Sequence, residues 1–440
     1  MQARRLVWQT LRLMDRRDSY ANIALERGLQ GTPLSPPDRG LVTELVYGIT
    51  RRQRTLDALI GHYAKKSQQP PDLRRILQVG FYQLIYLQHI PPSAAINTSV
   101  ELTRAAKLGS LTKVVNGILR QFLRDYPEPQ TLTWLALLQE RDPIADDGIR
   151  FSFPDWLITL WHQQMGREDT QQLCAWFNRS PHLDLRVNVL HADLATVETA
   201  FAAADISSQR IPGIPSALRV GSHSGSIPEL PGYAQGWWSV QDASAQQVVE
   251  WLDPQPHETI IDCCAAPGGK STHMAEKMGD QGTIWALDRH AGRLNRVTQN
   301  AERLGLSIIQ TRAVDLDQPL DPGENGLPPW GSVDRVLLDA PCSGLGTLHR
   351  HADARWRMDP EQIPGLVSLQ AQLLSQVSGW VKPLGILVYS TCTLHPDENQ
   401  HQIEQFLASS PDWSLDRDPV QIWPHRHDQD GFFLARLRRG

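Results

Sequence analysis

The stretch at residues 333–346, VDRVLLDAPCSGLG, constrains the fold of this chain more than any other. Its apolar run at 336–338 is typical of a buried parallel strand. Asp339 and Cys342 follow this run, and a glycine-bearing loop comes next. In open α/β sheets, ligands and reactive groups gather just beyond the carboxyl ends of the strands. The stretch therefore predicts a strand that delivers a carboxylate and a thiol to a functional edge. The alternative is a tight turn whose cysteine only packs.

Strand and helix signals alternate from about residue 236 to the C-terminus. The predicted strands cover residues 259–263, 283–288, 307–315, 333–340 and 385–392, and the predicted helices cover 270–278, 293–304, 360–381 and 399–409. Strands separated by helices imply a parallel, doubly wound sheet. A last strand at residues 432–438 is expected to run antiparallel, at the far edge of that sheet or next to it.

The first 125 residues differ from this body in pattern and in charge. Apolar residues recur at helical spacing over residues 39–54, 72–88, 93–108 and 110–124, which predicts an all-α domain. Residues 1–125 carry 19 Lys and Arg against 9 Asp and Glu, whereas the whole chain has a net charge of −5. A basic front on an acidic body suggests that a polyanion docks at the N-terminal end. A solvated helix surface would give the same charge, so charge alone leaves both interpretations open.

A chain of 440 residues suggests two or three domains. The run DYPEP at residues 125–129 is typical of a linker. After it, helix signals at 154–164, 169–177 and 193–203 mix with short strand signals at 183–189, 218–220 and 237–240. This mixture predicts a small α+β unit. The predicted order is a helical domain at 1–128, a linker at 129–150, a small α+β domain at 151–235 and the α/β body at 236–440.

Targeting and redox signals point to an intracellular protein. The N-terminus, MQARRLVWQTLRL, lacks the apolar core of a secretory signal, and the apolar stretch near residues 77–87 is too short to span a bilayer. Five cysteines without a framework spacing favour reduced thiols, so a cytoplasmic location without membrane contact is predicted. No C-x-x-C pair occurs, and the adjacent Cys263 and Cys264 do not have the spacing of a zinc site, so no metal is expected.

The first strand of the body runs into DCCAAPGGKS (residues 262–271), a glycine turn at the start of a helix. Such a turn suits a nucleotide-like ligand, because glycine allows close backbone approach and the helix start offers free N–H groups. A phosphate-binding P-loop would need glycine where Cys264 stands, and a dinucleotide fingerprint would need a third glycine beside Gly268 and Gly269. Asp288, 19 residues beyond Gly269, is placed to hold ribose hydroxyls. S-adenosylmethionine fits this pattern, because it has a ribose and an adenine but no phosphate.

The fourth and fifth strands each end in a thiol, Cys342 and Cys392, and neighbouring strand ends would bring both to one cleft. Two thiols beside a methyl-donor pocket suggest methylation of a pyrimidine carbon. Carbon 5 of cytosine is a poor nucleophile, but a thiolate that adds at carbon 6 pushes electron density onto it. Such chemistry also needs an acid near the ring and a group that accepts the carbon-5 proton. The residues alone do not decide which thiol attacks.

Three segments of the body resemble the motifs of the Sun family of RNA cytosine-5 methyltransferases. They are DCCAAPGGKSTHMAE (262–276), VDRVLLDAPCSG (333–344) and YSTCTLHPDENQ (389–400). Segments of the front, among them ELVYG (44–48), VGFYQL (79–84) and VNGILR (115–120), resemble the NusB-like RNA-binding domain. The resemblance implies a Rossmann-like S-adenosylmethionine-dependent methyltransferase domain, preceded by an all-α NusB-like domain and a small α+β domain.

The resemblance also assigns roles to single residues. It makes Cys392 the nucleophile and lets Cys342 assist release of the methylated base, while Asp339 would contact the cytosine and the cofactor region. Lys270 is a candidate for the positive charge that favours a thiolate at Cys392. S-adenosylmethionine would be held by Cys264, Ala265, Ala266, Pro267, Gly268, Gly269, Lys270, Asp288, Asp315 and Asp339, with Asp317 as the alternative to Asp315.

The function implied by the resemblance is methyl transfer to carbon 5 of cytosine 967 in 16S ribosomal RNA, by a monomer. The residues leave two other classes open: an RNA-binding assembly or antitermination factor without catalysis, and a Rossmann oxidoreductase, which the loop spacing disfavours. The basic and aromatic segment at 348–357, LHRHADARWR, is expected to hold RNA beside the thiols. The alternative is a solvated loop with one anchoring tryptophan.

Overall fold

The computed structural model describes residues 1–17, 19–65, 69–221, 226–323 and 326–440. The chain divides into two compact units. The first contains Met1–Ser180 together with the segment Leu348–Arg357, and the second contains Pro181–Thr347 and Met358–Gly440. The segment at 129–150, expected as a linker, carries short helices, and the domain boundaries drawn from the sequence stay a prediction.

The first unit is built from helices. These are α1 (Gln2–Arg17), α2 (Ala21–Leu29), α3 (Pro36–Arg51), α4 (Gln53–Tyr63), α5 (Pro71–Tyr86), α6 (Pro92–Ala105), α7 (Thr112–Asp125), α8 (Pro143–Phe151) and α9 (Asp155–Phe177). The four predicted front helices are confirmed as α3, α5, α6 and α7, with ends shifted by a few residues. Apolar side chains from α1 to α7 form one buried core.

Two helix ends show why boundaries differ from the prediction. Helix α3 begins early because the Ser35 side chain accepts a hydrogen bond from the Asp38 N–H and Pro36 fits the first turn. The helices predicted at 154–164 and 169–177 are confirmed as two helical segments of α9, which meet at a kink at Gly166, whose φ of 81° is left-handed. Glycine tolerates this conformation and so lets the helix change course without a loop.

The segment Leu348–Arg357 is part of the first unit. Arg355 is fully buried, with its guanidinium 4.0 Å from the centre of the Phe153 ring. Trp356 donates its indole N–H to the Thr50 carbonyl over 2.8 Å. The guanidinium of Arg355 donates to one side-chain oxygen and four backbone carbonyls, those of Asn178 (3.0 Å), Ser152 (3.2 Å), Arg51 (3.3 Å), Leu348 (3.3 Å) and Phe177 (3.4 Å).

These contacts correct the expected role of the segment. The prediction that it holds RNA is wrong for Arg355, because the side chain is fully buried and its two terminal NH2 groups donate inside the unit. An anchoring tryptophan was the alternative, and Trp356 fits that description. Basic and aromatic composition indicates RNA contact only where the side chains remain at the surface.

The second unit begins with a four-stranded antiparallel sheet of order β2-β3-β1-β4. Its strands are β1 (Leu183–Val187), β2 (Ser208–Arg210), β3 (Ala217–Val220) and β4 (Trp238–Val240). Helix α10 (Leu194–Ala203) starts where Asp193 accepts a hydrogen bond from the Thr196 N–H over 2.8 Å. That cap and the strands predicted at 183–189, 218–220 and 237–240 are confirmed.

A seven-stranded sheet of order β10-β11-β9-β8-β5-β6-β7 forms the rest of this unit. Strands β5 to β9 are mutually parallel, whereas β10 and β11 are antiparallel additions beyond β9. The predicted doubly wound sheet, with an antiparallel strand next to its edge, is confirmed. The strands are β5 (Thr259–Cys263), β6 (Thr283–Asp288), β7 (Ile309–Ala313), β8 (Val333–Asp339), β9 (Val381–Thr391), β10 (Trp413–Ile422) and β11 (Phe432–Arg439). The helices are α11 (Ala243–Leu252), α12 (Gly269–Lys277), α13 (Ala291–Arg303), α14 (Ile363–Ser378) and α15 (Gln400–Ser409).

The order of the strands locates the site. Strands β6 and β7 follow β5 on one side, whereas β8 and β9 lie on its other side. Open α/β sheets bind ligands at such a reversal, beyond the carboxyl ends of the strands. The two faces of the sheet are both covered, since Val336 and Leu337 of β8 enter separate cores on opposite faces. Among the described residues, no helix has the length and apolar character needed to cross a membrane.

Candidate active site

The loops after β5, β8 and β9 meet at one edge of the large sheet. Strand pairing sets Cys263 of β5 opposite Leu338 of β8, and Asp339 of β8 opposite Ser390 of β9. Three neighbouring parallel strands therefore end at nearly the same level. The residues that follow them, which carry the glycine turn and both thiols of the prediction, lie at the reversal of strand order.

The glycine turn connects β5 to α12 in a tight path. The Gly268 N–H donates to the Ala265 carbonyl over 2.8 Å, and the Ala266–Pro267 peptide is cis. Gly268 has a φ of 101°, and a Cβ there would lie only 3.0 Å from the Val297 backbone. Glycine is therefore required at this position for two independent reasons, conformation and close packing. The turn leaves the first N–H groups of α12 directed at the sheet edge.

The carboxylates predicted to hold the cofactor lie around one cleft. Asp288 is buried, accepts the His290 N–H over 3.0 Å and lies 3.2 Å from the Arg293 guanidinium. Asp315 and Asp317 line the same cleft, together with Cys264. The structure thus brings Cys264, Asp288 and Asp315 together and does not separate Asp315 from its alternative.

Asp262 is a site residue absent from the prediction. It is fully buried at the start of the turn, and Ser271 donates its hydroxyl to Asp262 Oδ2 over 2.5 Å. Burial raises the pKa of Asp262 to about 7, although the Ser271 hydrogen bond opposes the shift. Its Oδ1 has no hydrogen-bond partner among the described residues. An unpaired buried acceptor and the Asp288 carboxylate beside the turn fit S-adenosylmethionine, which brings hydroxyl and amino donors.

The two predicted thiols are adjacent. The sulfur atoms of Cys342 and Cys392 lie 3.5 Å apart, and both side chains are half-buried. The hydrogen bond with Cys392 raises the pKa of the Cys342 thiol well above its usual value, and burial and the nearby Cys392 and Glu398 add to the rise. Cys342 is therefore a protonated group at neutral pH, in contact with a second thiol.

A lysine–aspartate pair stands beside the thiols. Lys270 Nζ lies 2.5 Å from Asp339 Oδ2, and the Ser390 hydroxyl donates to Asp339 Oδ1 over 2.8 Å. Burial works against the charge of Lys270, but Asp339 and Cys392 outweigh it and raise the pKa of this ammonium. The Lys270 Nζ also lies 5.4 Å from the centre of the Phe432 ring. A fixed positive charge is thus held between the carboxylate and the Cys392 thiol.

The other cysteines are not placed for such chemistry. Cys174 belongs to the first unit and Cys263 to strand β5, and both are buried. Burial raises the pKa of Cys264 to about 12. The described part of the chain contains no group of three or more His, Cys, Asp or Glu residues placed to hold a metal ion.

Three protein-family models match the chain. The NusB family matches residues 1–124, and the ferredoxin-like domain of RsmF/B-like methyltransferases matches residues 153–225. The model of the 16S rRNA methyltransferase RsmB/F matches residues 249–438. A protein of Synechocystis sp. called a probable ribosomal RNA small subunit methyltransferase B is 49% identical, with 99% of each chain covered. This chain belongs to the RsmB/F family of ribosomal RNA methyltransferases.

A second relative and a solved structure support the assignment to the RsmB/F family. A Bacillus subtilis protein with the same description is 32% identical, with 99% of this chain and 98% of that protein covered. The crystal structure of a methyltransferase homologue from Pyrococcus horikoshii is 26% identical and has a TM-score of 0.60. That comparison covers 68% of this chain and 100% of the homologue.

Membership of the RsmB/F family confirms several predictions together. The NusB-like front, the Rossmann-like methyltransferase fold and the use of S-adenosylmethionine are those of the family. The chain is an S-adenosylmethionine-dependent RNA methyltransferase, and the oxidoreductase alternative is wrong. The roles of single residues stay predictions.

Proposed function

We propose that this chain methylates carbon 5 of a cytosine in 16S ribosomal RNA, at position 967, through a covalent adduct between a cysteine sulfur and carbon 6. The observation that carries this proposal is the pair of thiols 3.5 Å apart at the ligand-binding edge of a methyltransferase sheet. A methyltransferase that acts on nitrogen or oxygen has no need of a sulfur nucleophile, and still less of two.

The proposed nucleophile is Cys392. Its thiolate adds to carbon 6 of the cytosine, and the electron pair of the 5,6 double bond becomes available at carbon 5. Lys270 supplies positive charge beside this sulfur, as its interaction with Cys392 supports. Asp339, fixed by Lys270 and Ser390, is held where it would orient the ring and stabilise charge at nitrogen 3.

Release is assigned to Cys342. After methyl transfer to carbon 5, the carbon-5 proton passes to a solvent water, and the electron pair of that C–H bond re-forms the double bond. The C6–S bond breaks, and the sulfur of Cys392 departs with its electron pair. Cys342 touches that sulfur, and its raised pKa keeps a proton available for the departing thiolate.

The cofactor is assigned to the turn and the carboxylates around it. S-adenosylmethionine supplies an electrophilic methyl group. Asp288 would accept from the ribose hydroxyls, and Asp315 or Asp317, which line the same cleft, would meet the adenine. Residues 264–270 would hold the remaining part, with Asp262 Oδ1 as a further acceptor.

The ribosomal RNA partner is supported by the front of the chain. Residues 1–125 carry 19 basic against 9 acidic residues, and phosphate backbones bind such surfaces. The target base must leave its stack to reach a sulfur in a cleft, which costs least where RNA is already looped. The enzyme would act as a monomer in the cytoplasm.

The test uses Cys342→Ala and Cys392→Ala proteins, each incubated with 16S ribosomal RNA and S-adenosylmethionine and run on a denaturing gel. A covalent protein–RNA band is expected with Cys342→Ala, whose release step is impaired, and none with Cys392→Ala. Cys174→Ala, which removes a buried thiol of the first unit, is the matched control and should retain turnover.

Each other outcome has a definite meaning. A band with Cys392→Ala but not with Cys342→Ala would exchange the two roles. No band from either variant, while the unmodified protein methylates the RNA, would contradict the covalent adduct. RNAs in which cytosine 967 is replaced test the position, because they should no longer be methylated.

A further inference from the structure

Glu398 is a buried carboxylate that the chemistry above does not use. It lies in a single turn, Pro396–Glu398, shortly after Cys392, and its side chain is fully enclosed. Glu398 Oε2 accepts the Ser343 N–H over 2.8 Å and the Gln370 side-chain amide over 3.0 Å. Its Oε1 accepts the Thr393 hydroxyl over 3.1 Å and also the Ser343 hydroxyl. Four donors therefore converge on one carboxylate.

Three of the four donors belong to the residues that directly follow the two thiols. Ser343 follows Cys342 directly, and Thr393 follows Cys392 directly. The two hydroxyls also contact each other, with their oxygen atoms 2.6 Å apart. Through Glu398, the chain just after one thiol is tied to the chain just after the other.

The network also reaches the chain before Cys342 and strand β9. Gln370 of α14 donates to the Pro341 carbonyl over 2.9 Å as well as to Glu398. Tyr389 of β9 donates its hydroxyl to the Glu398 carbonyl over 2.7 Å, which fixes the turn to the sheet. Both neighbours of Cys342 are thus held by one set of hydrogen bonds.

We propose that Glu398 is a positioning residue that locks the two thiol loops together and so sets the separation of the Cys342 and Cys392 sulfurs. This inference rests on the function proposed above, in which release needs Cys342 in contact with the Cys392 sulfur. A carboxylate suits the task because it offers only acceptor sites to four donors. Burial makes it costly to leave any of these donors unpaired, so the loops are held firmly.

The same carboxylate affects the proton on Cys342. Its negative charge is one of the causes of the raised pKa of that thiol, after the Cys392 hydrogen bond, burial and the charge of Cys392. Position and protonation are therefore controlled by one group. A purely structural residue would stabilise the fold without changing the titration of a single cysteine.

The discriminating variant is Glu398→Gln, which keeps the shape but removes the charge and turns one acceptor atom into a donor. The full-length protein without RNA is treated with iodoacetamide between pH 6 and 10, and alkylation of each cysteine is followed by peptide mass spectrometry. Cys342 alkylation is expected to become faster at each pH of this range, and a pKa lower by about one would raise the rate at pH 8 about tenfold. Glu404→Gln, an exposed change on α15, is the matched control and should leave the profile unchanged.

A second readout follows the covalent RNA adduct. With 16S ribosomal RNA and S-adenosylmethionine, Glu398→Gln is expected to accumulate the adduct because release slows by about tenfold or more. Ser343→Ala keeps the Glu398 carboxylate and removes one hydrogen bond to it, so release of the methylated RNA should slow less than in Glu398→Gln. This milder variant keeps the test valid if Glu398→Gln does not fold.

The outcomes separate the inference from the proposed function. If the unmodified protein forms no adduct and no methylated RNA, the function fails, while the alkylation profile still tests Glu398. If folded Glu398→Gln alkylates at Cys342 as the unmodified protein does and releases RNA at the same rate, the inference is overturned. Wild-type release in Ser343→Ala together with an unfolded Glu398→Gln would also overturn it, because Glu398 would then serve stability alone.

Discussion

Two adjacent segments of the chain use similar residues in opposite ways. The thiol loop at residues 339–346 and the segment Leu348–Arg357 are separated by one residue and both carry polar or charged side chains. In the thiol loop, Asp339 keeps 30% of its side chain exposed and Cys342 is half-buried at the sheet edge. In Leu348–Arg357, the Arg355 guanidinium is buried and donates hydrogen bonds to backbone and amide oxygens.

The difference teaches which polar groups are available for chemistry. A buried polar group must be hydrogen-bonded or the fold loses stability, so an enclosed side chain such as Arg355, whose two terminal NH2 groups donate to five oxygens, is committed to structure. A group that is fixed yet still reachable, such as Asp339, can act on a substrate. We therefore expect substitutions in the thiol site to change turnover with little effect on folding, and substitutions of Arg355 to do the reverse.

The largest effect is expected from Lys270→Met. This change removes the charge held 2.5 Å from Asp339 and in electrostatic interaction with Cys392, so the proposed nucleophile and the Asp339 carboxylate lose their shared partner. We expect kcat to fall about 1,000-fold, or about 4 kcal/mol of activation free energy. Methyl transfer from labelled S-adenosylmethionine to 16S ribosomal RNA measures this loss.

The control for Lys270→Met is Lys277→Met in the same helix. Lys277 pairs with Glu250 at a partly exposed position, and its removal should change kcat by less than about twofold. If the kcat of Lys270→Met stayed within a few-fold of that of the unmodified protein, turnover would not depend on this charge. The contrast between the thiol loop and Leu348–Arg357 would then not hold. The thermal midpoint of each variant shows whether a loss of activity is a loss of fold.

Local sequence patterns predicted the parallel sheet and the convergence of reactive side chains at its edge. Both follow from short apolar runs and from the residues that directly follow them. Cys342 and Cys392 each follow such a run directly, and neighbouring strands bring them within 3.5 Å. Strand β10 escaped prediction because it is an edge strand, with buried residues mainly at its two ends and a proline inside.

Glu398 and Arg355 escaped prediction for a different reason. Glu398 stands in a polar run, HPDENQ, in which nothing local distinguishes a buried acceptor from a surface charge. Its donor at Ser343 is 55 residues away, and four of the five partners of Arg355 are 177 to 304 residues away. Whether a buried polar group finds its hydrogen-bond partners depends on tertiary packing, which a local sequence pattern does not predict.

A carboxyl at the sheet edge of the thiol site sharpens the comparison, because Asp262 is buried like Arg355 and, within the described part of the chain, its Oδ1 has no hydrogen-bond partner. Its pKa is raised to about 7 by burial, against about 3.9 in an unfolded chain. Between pH 4 and pH 7, the Asp262 carboxyl is therefore protonated in the folded state and ionised in the unfolded state. Its contribution to stability is full below about pH 4 and is lost as the pH rises through about 7.

Asp262→Asn, which stays neutral, should remove this dependence. We expect its stability relative to the unmodified protein to improve by about 3 kcal/mol between pH 4 and pH 8. Urea unfolding at both pH values measures the change, with Glu404→Gln as an exposed carboxylate control. An equal pH dependence in Asp262→Asn and the unmodified protein would show that this carboxyl is ionised in the fold throughout.

The smallest effect, and the sharpest test of the other side of the comparison, is expected from Arg355→Met. Methionine leaves the oxygens of Arg51, Ser152 and Asn178 without their donor, which costs stability, but it also relieves the burial of a charge. We expect a net loss of about 2 kcal/mol in the opening free energy of α3 and α9, measured by hydrogen exchange with mass spectrometry. Arg120→Met, at an exposed position of α7, should cost less than about 0.5 kcal/mol.

RNA affinity, measured at several salt concentrations, should fall no more for Arg355→Met than for Arg120→Met when both proteins are folded. A selective loss of RNA binding with unchanged exchange would return Arg355 to the RNA surface and remove the distinction between the two segments.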